Sequence, residues 1–142
     1  MRPGARCRTV SRPRPAPSPT TEAFWAATAD HRFLLQRCQA CGSAQFYPKA
    51  TCTTCGSAAL DWEAASGQGT LHTFTVARRP THPAFEGAEP YVLAIVELAE
   101  GPRVTGDLVD CPIDDVHIGM AVELVWDELG ADGIRLPLWH PA

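Results

Sequence analysis

Four cysteines within one short span are the residues best placed to do chemistry: Cys38-Gln39-Ala40-Cys41-Gly42, ten residues, then Cys52-Thr53-Thr54-Cys55-Gly56. Two cysteines separated by two residues can set both sulfurs on one ion. The glycine after each pair lets the backbone turn so that amide N–H groups point at the thiolates. Four thiolates around a d¹⁰ ion make a closed tetrahedral site, so Cys38, Cys41, Cys52 and Cys55 are read as ligands of a structural Zn²⁺. A closed site leaves no position for water or substrate. Its work is to supply folding free energy that so short a segment cannot draw from a core. Iron is the rival metal, because rubredoxin-type electron carriers use similar knuckles. Thiol–disulfide exchange is the weaker reading, since two intact pairs point to shared ligation. Cys7 and Cys111 have no spaced partner, and Cys111 reads as a small buried hydrophobe.

No catalytic set accompanies the cysteines. The sequence has no Gly-x-Ser-x-Gly elbow, no Walker loop, no Gly-x-Gly-x-x-Gly before a helix and no His-Glu-x-x-His. The five histidines are scattered, and Asp114-Asp115 reads as a solvated helix start. The segment from Val76 to Phe85 is different, because it concentrates Arg78, Arg79 and His82 within an otherwise acidic body. Positive charge placed there favours a phosphorylated ligand. Pairing of Arg78 and Arg79 with Glu86 or Glu89 is the equal alternative. Trp25, Trp62, Trp126 and Trp139 are expected in the core rather than on a stacking platform.

Short elements must position these residues. A helix is expected within Thr20–Ala29, capped by Ser18, Thr20 or Thr21 and docked by Phe24 and Trp25. Extended pieces at Arg32–Arg37 and Ala44–Pro48 frame the cysteine knuckles as a zinc ribbon. Gly67-Gln68-Gly69 reads as a joint. Beyond it, five extended segments are expected at Thr70–Arg79, Tyr91–Leu98, Arg103–Val109, Ala121–Glu128 and Gly133–Trp139, with a helical turn within Asp110–Ile118. Five strands with an insert after the third match a Greek-key OB barrel. The expected class is therefore mainly β: a short helix and rubredoxin-like zinc ribbon over residues 20–66, then a five-stranded OB-fold barrel over 67–142.

Residues 1–19 carry five arginines, five prolines and no acid, and read as a disordered basic tail. It is either an arm for an acidic partner or a dispensable extension. The chain's net charge is −4, yet the body after the tail holds seven basic residues against 16 acids. Such a surface repels phosphate backbones, which counts against a nucleic-acid partner. With no apolar run of transmembrane length and no apolar signal-peptide core, the expectation is a cytoplasmic protein with no membrane partner.

Taken in order, several stretches resemble a known family. They are Phe24-Trp25, Leu34 through Gly42, Tyr47-Pro48, Cys52 through Gly56, Gly67 through Val76, Pro83-Ala84-Phe85, Pro90 through Leu98, Ile118 through Val122 and the closing Leu136 through Ala142. From about Thr20 onward the chain resembles the zinc-ribbon/OB-fold proteins associated with acyl-CoA metabolism, long catalogued as a domain of unknown function. The resemblance implies a non-catalytic accessory or scaffold subunit. Its partner would be a thiolase-like enzyme, an acyltransferase, an aldolase or an enoyl-CoA hydratase. Charge placement, rather than the resemblance, sets the barrel's first loop near the CoA. On that reading Arg78, Arg79 and His82 face the CoA phosphates. The resemblance transfers no catalytic residue. Three other readings stand beside it: a catalytic subunit of a heteromeric hydratase or acyltransferase, a nucleic-acid-binding OB protein and an iron electron carrier.

Overall fold

Between Tyr91 and Leu98 every second side chain is buried, with Val92, Ala94, Val96 and Leu98 inward and Leu93, Ile95 and Glu97 on the other face. That period of two is what a strand with one core face requires. The computed structural model, which describes residues 10–130 and 132–142, builds a barrel around this strand.

The elements run α1 (Glu22–Thr28), β1 (Leu34–Cys38), β2 (Ala44–Gln45), β3 (Leu60–Ala64), β4 (Gln68–Ala77), β5 (Tyr91–Leu98), β6 (Arg103–Leu108), β7 (Ala121–Glu128) and β8 (Arg135–Pro141). Strands β2, β1 and β3 form an antiparallel sheet with β1 in the centre. The remaining five close a barrel in the order β4-β5-β6-β8-β7. All neighbours there are antiparallel except β6 and β8, which are parallel and meet only at Leu108 and Trp139. This is the OB barrel expected from the sequence, preceded by a ribbon.

Local chemistry explains the closure. Strand β4 serves two partners, pairing with β7 over residues 68–70 and with β5 from Gly69 onward. The double duty needs Gly69, where a Cβ would lie 2.5 Å from Val96 Cγ1 and 2.9 Å from the Glu97 carbonyl. One extra residue, His72, then falls between the paired Leu71 and Thr73. This bulge puts His72 on the surface and returns Phe74 and Val76 towards the core.

Helix α1 is only seven residues long and lays Phe24, Ala27 and Thr28 on the body. Thr21 holds the N-cap position without a side-chain cap; its hydroxyl instead accepts the Ser18 N–H at 2.9 Å. The buried Thr28 ties the helix to the barrel, since its Oγ1 accepts the Arg135 N–H at 3.1 Å and donates to the Trp25 carbonyl at 2.7 Å. Phe24, Phe33, Leu34 and Leu35 join the barrel's Leu71, Val96, Val122 and Trp139 in one continuous core.

Three expectations need correction. Strand β3 is not among the expected elements, yet Leu60–Ala64 pairs with all of β1. Trp62 on that strand is 37% exposed rather than core, because β3 is an edge strand. The proline-rich tail is not a free arm from residue 10 onward. Val10–Ser18 has no regular secondary structure, as proline density dictates, but Arg12 is largely buried against the barrel. Residues 1–9 of the expected tail, with Cys7, lie outside the described residues. No helix among the described residues is long and apolar enough to cross a membrane.

Candidate metal centre and adjoining cleft

The two knuckles repeat one backbone design. In the first, the Gly42 N–H donates to the Cys38 carbonyl at 2.8 Å and the Cys38 N–H donates to the Ser43 carbonyl at 2.9 Å. In the second, Gly56 donates to Cys52 at 2.9 Å and Cys52 to Ser57 at 2.8 Å. Gly42 and Gly56 share φ of +78°, the left-handed turn that a Cβ would strain. The four sulfurs all lie within 4.8 Å of one another, with Cys38–Cys55 at 3.6 Å and Cys41–Cys52 at 3.7 Å. Tetrahedral ligation with metal–sulfur bonds of about 2.3 Å separates sulfurs by about 3.8 Å. The donor set therefore fits one ion held by four thiolates.

The environment already favours thiolates at part of the cluster. Backbone N–H groups of Cys55 and Thr54 pull Cys52 down to about 6. The Ser43 hydroxyl and N–H lower Cys41. At Cys55 the Ser57 N–H also lowers the pKa, but the Cys38 thiol, burial and the other two thiols outweigh it, and Cys55 is pushed up to about 11. Four thiols this close cannot all ionise without a cation between them.

Two buried glutamines hold the knuckles in register, and sequence reasoning missed both. Gln36 accepts the Lys49 N–H and donates to the Lys49 carbonyl, each at 2.9 Å. Gln45 donates to Gln36 Oε1 at 2.8 Å and accepts the Thr53 N–H at 2.9 Å. The segment before Cys52 is thus clamped to β1 and β2. The available signal was a polar residue directly after the apolar run Phe33-Leu34-Leu35. Arg37 does the same for the first knuckle. It forms a two-pronged ion pair with Glu63 at 2.9 and 3.0 Å and donates to the Gly42 carbonyl at 2.9 Å. That pairing raises Arg37 and lowers Glu63.

Beside the ribbon, a cleft of about 370 Å³ opens where β6 and β8 part. Phe24, Trp25, Phe33, Phe46 and Tyr47 form one wall in an edge-and-tilt ring cluster with centroids 4.6–5.3 Å apart. The barrel supplies Val104, Leu136, Leu138 and Trp139. Tyr47, half exposed, reaches across the gap and its Oη accepts the Thr105 N–H at 3.0 Å, taking the place of a strand partner. Gly106 lets the Trp139 indole lie against β6, since a Cβ there would sit 3.0 Å from the ring.

The expected phosphate loop divides. Arg78 and Arg79 are exposed at the end of β4, and the alternative pairing with Glu86 or Glu89 does not occur among the described residues. His82 is instead turned to structure: its Nδ1 accepts the Ala84 N–H at 3.1 Å and caps the short 3-10 turn Pro83–Phe85. That turn delivers Phe85 to the cleft. Burial pushes the Cys111 thiol up, in keeping with a packing role against the core.

Comparison with known proteins follows these two features. Residues 25–61 match the family model for the rubredoxin-like zinc ribbon domain of ChsH2, and residues 62–127 match that for the ChsH2 C-terminal OB-fold domain. A probable enoyl-CoA hydratase alpha subunit of Thermomonospora curvata is 42% identical over 92% of this chain. The chain spans only 40% of that relative's length. A DUF35 domain-containing scaffold protein of Methanocaldococcus jannaschii is 41% identical, with 68% of this chain and 69% of the relative aligned. Among solved structures, a chain of the Ltp2–ChsH2(DUF35) aldolase superposes with a TM-score of 0.79 at 39% identity, covering 90% of this chain and 98% of that one.

Proposed function

This chain belongs to the DUF35 family of zinc-ribbon/OB-fold proteins, and from that premise we propose that it is a non-catalytic accessory subunit of an acyl-CoA-transforming enzyme. The observation that carries the reading is the cleft between ribbon and barrel. Its lining is aromatic and aliphatic, and its one carboxylate, Asp107, is occupied by Arg12. Such a lining grips an apolar group and offers no free acid–base pair to transform it.

On this reading Cys38, Cys41, Cys52 and Cys55 hold Zn²⁺, which when bound fixes the ribbon and supplies no reaction centre. The partner is an aldolase or an enoyl-CoA hydratase, as the names of similar proteins suggest, or else a thiolase-like enzyme or an acyltransferase, and the compartment is the reducing cytoplasm. Arg78 and Arg79 meet the CoA phosphates at the end of β4, with His82 offering only its Nε2. Metal analysis of the colourless purified protein is expected to return one zinc per chain; red protein with visible absorption would assign iron.

The accessory role is tested by turnover. The isolated chain should leave an acyl-CoA pool unchanged, and its addition to the cognate enzyme should raise that enzyme's kcat/KM. Turnover by the isolated chain would favour a second reading, that of a catalytic hydratase subunit, to which the Thermomonospora curvata relative's name points. In the assembled complex, Arg78→Ala/Arg79→Ala is expected to raise KM for the CoA substrate, and an unchanged KM would remove those two residues from the site.

A further inference from the structure

Residues 10–17 of the basic tail have an acidic partner, and that partner is the chain's own barrel. Arg12 Nε donates to Asp107 on β6 at 2.9 Å and Arg12 Nη1 to Asp127 on β7 at 2.8 Å, so one guanidinium bridges across the intervening β8. Its side chain is 13% exposed, and those of the two acids 13% and 24%. The guanidinium carbon also lies 5.8 Å from the centre of the Phe85 ring. Arg14 pairs with Asp132 close by. Among the described residues, nothing else with a hydrogen bond or ion pair holds residues 10–17 down. The segment is pinned by two arginines and by no backbone pairing, and its Arg12 and Pro13 form a wall of the apolar cleft.

We propose that residues 10–17 are a latch, in which Arg12 clamps a movable wall over the cleft and its release lets an aliphatic chain pass in and out. The chemistry suits such a device. Charge-assisted, partly buried hydrogen bonds are strong enough to keep the wall closed most of the time, yet they depend on only two side chains. Without backbone bonds the segment can lift as a unit, and proline limits the conformations it loses on returning. Opening would widen the cleft beside Phe85 without disturbing the barrel, whose strands the latch does not join. The inference uses the cleft's lining alone and does not depend on which enzyme, if any, the chain serves.

The test measures exchange of a fluorescent long-chain fatty acid, cis-parinaric acid, by stopped flow on the full chain. In Arg12→Gln/Arg14→Gln the exchange rate is expected to rise by at least on the order of tenfold, since both Arg12 contacts and the Arg14–Asp132 pair are lost. Raising salt should speed exchange more steeply in the parent than in the variant, because only the parent has a clamp for screening to weaken. Asp127→Asn, which weakens the clamp from the barrel side, should give the same direction if the double variant folds poorly. Equal rates with equal salt response in parent and variants would overturn the latch. So would failure of the probe to bind the parent and the variants alike.

Discussion

At the scale of single residues, the cluster poses a proton problem that a metal solves. In the metal-free chain, Cys52 with its pKa near 6 is ionised at neutral pH while Cys55, near 11, holds its proton. Metal uptake at neutral pH must therefore release protons, and apparent affinity should rise as pH rises. Thiolate absorbance of the metal-free chain is expected to fall in a step near pH 6; a first step only above pH 8 would contradict the N–H contacts to Cys52. Replacing Cys41 by Ser should abolish stoichiometric metal and unfold the ribbon, read by metal analysis and by loss of near-ultraviolet ring signals. Glu63 follows the carboxylate sign: its pKa is depressed in the fold, so its contribution is complete above the ordinary carboxylate range and is lost as pH falls through its folded value. The melting-temperature difference between the parent and Glu63→Gln should be present at neutral pH and vanish in acid. The ligands were legible in the sequence because metal geometry fixes cysteine spacing locally. Arg37–Glu63 was not, because the partner sits on a strand paired across the sheet.

At the scale of elements, the ribbon's polar clamp matters as much as its thiolates. Gln45 is 7% exposed and serves both Gln36 and the Thr53 N–H, so Gln45→Ala leaves buried groups unpaired. The expected cost is about 1–3 kcal/mol in thermal or chemical unfolding, with faster metal loss to a chelator. In the barrel, Gly69→Ala drives a methyl group into Val96 and the Glu97 carbonyl where β4 changes partners, and should cost at least about 1–3 kcal/mol by the same measurement. The barrel strands were legible because alternation and turn residues are local signals: β5 and β7 have the bounds expected, and the others shift by a few residues. Strand β3 was not. Its sequence, Leu-Asp-Trp-Glu-Ala, has a weak pattern, and only pairing with β1 fixes it. The cleft was also hidden, since it arises where β6 and β8 meet at one bridge and Tyr47 from the ribbon fills the gap.

At the scale of the whole molecule, the uneven charge read from the sequence finds its meaning within the chain. Arg12 of the basic tail lies on acids of β6 and β7, so part of a charge asymmetry read as either an arm for an acidic partner or a dispensable extension is spent within the chain. Helix, ribbon and barrel then share one core and enclose an apolar cleft. The most direct measurement is to purify the tagged chain from its native host at low and moderate salt, weigh the assembly and identify what accompanies it. The account predicts an acyl-CoA enzyme of the thiolase, aldolase or hydratase kind in fixed ratio to the chain. Recovery of the chain by itself at both salt concentrations, with an acyl-CoA turnover of its own, would contradict it.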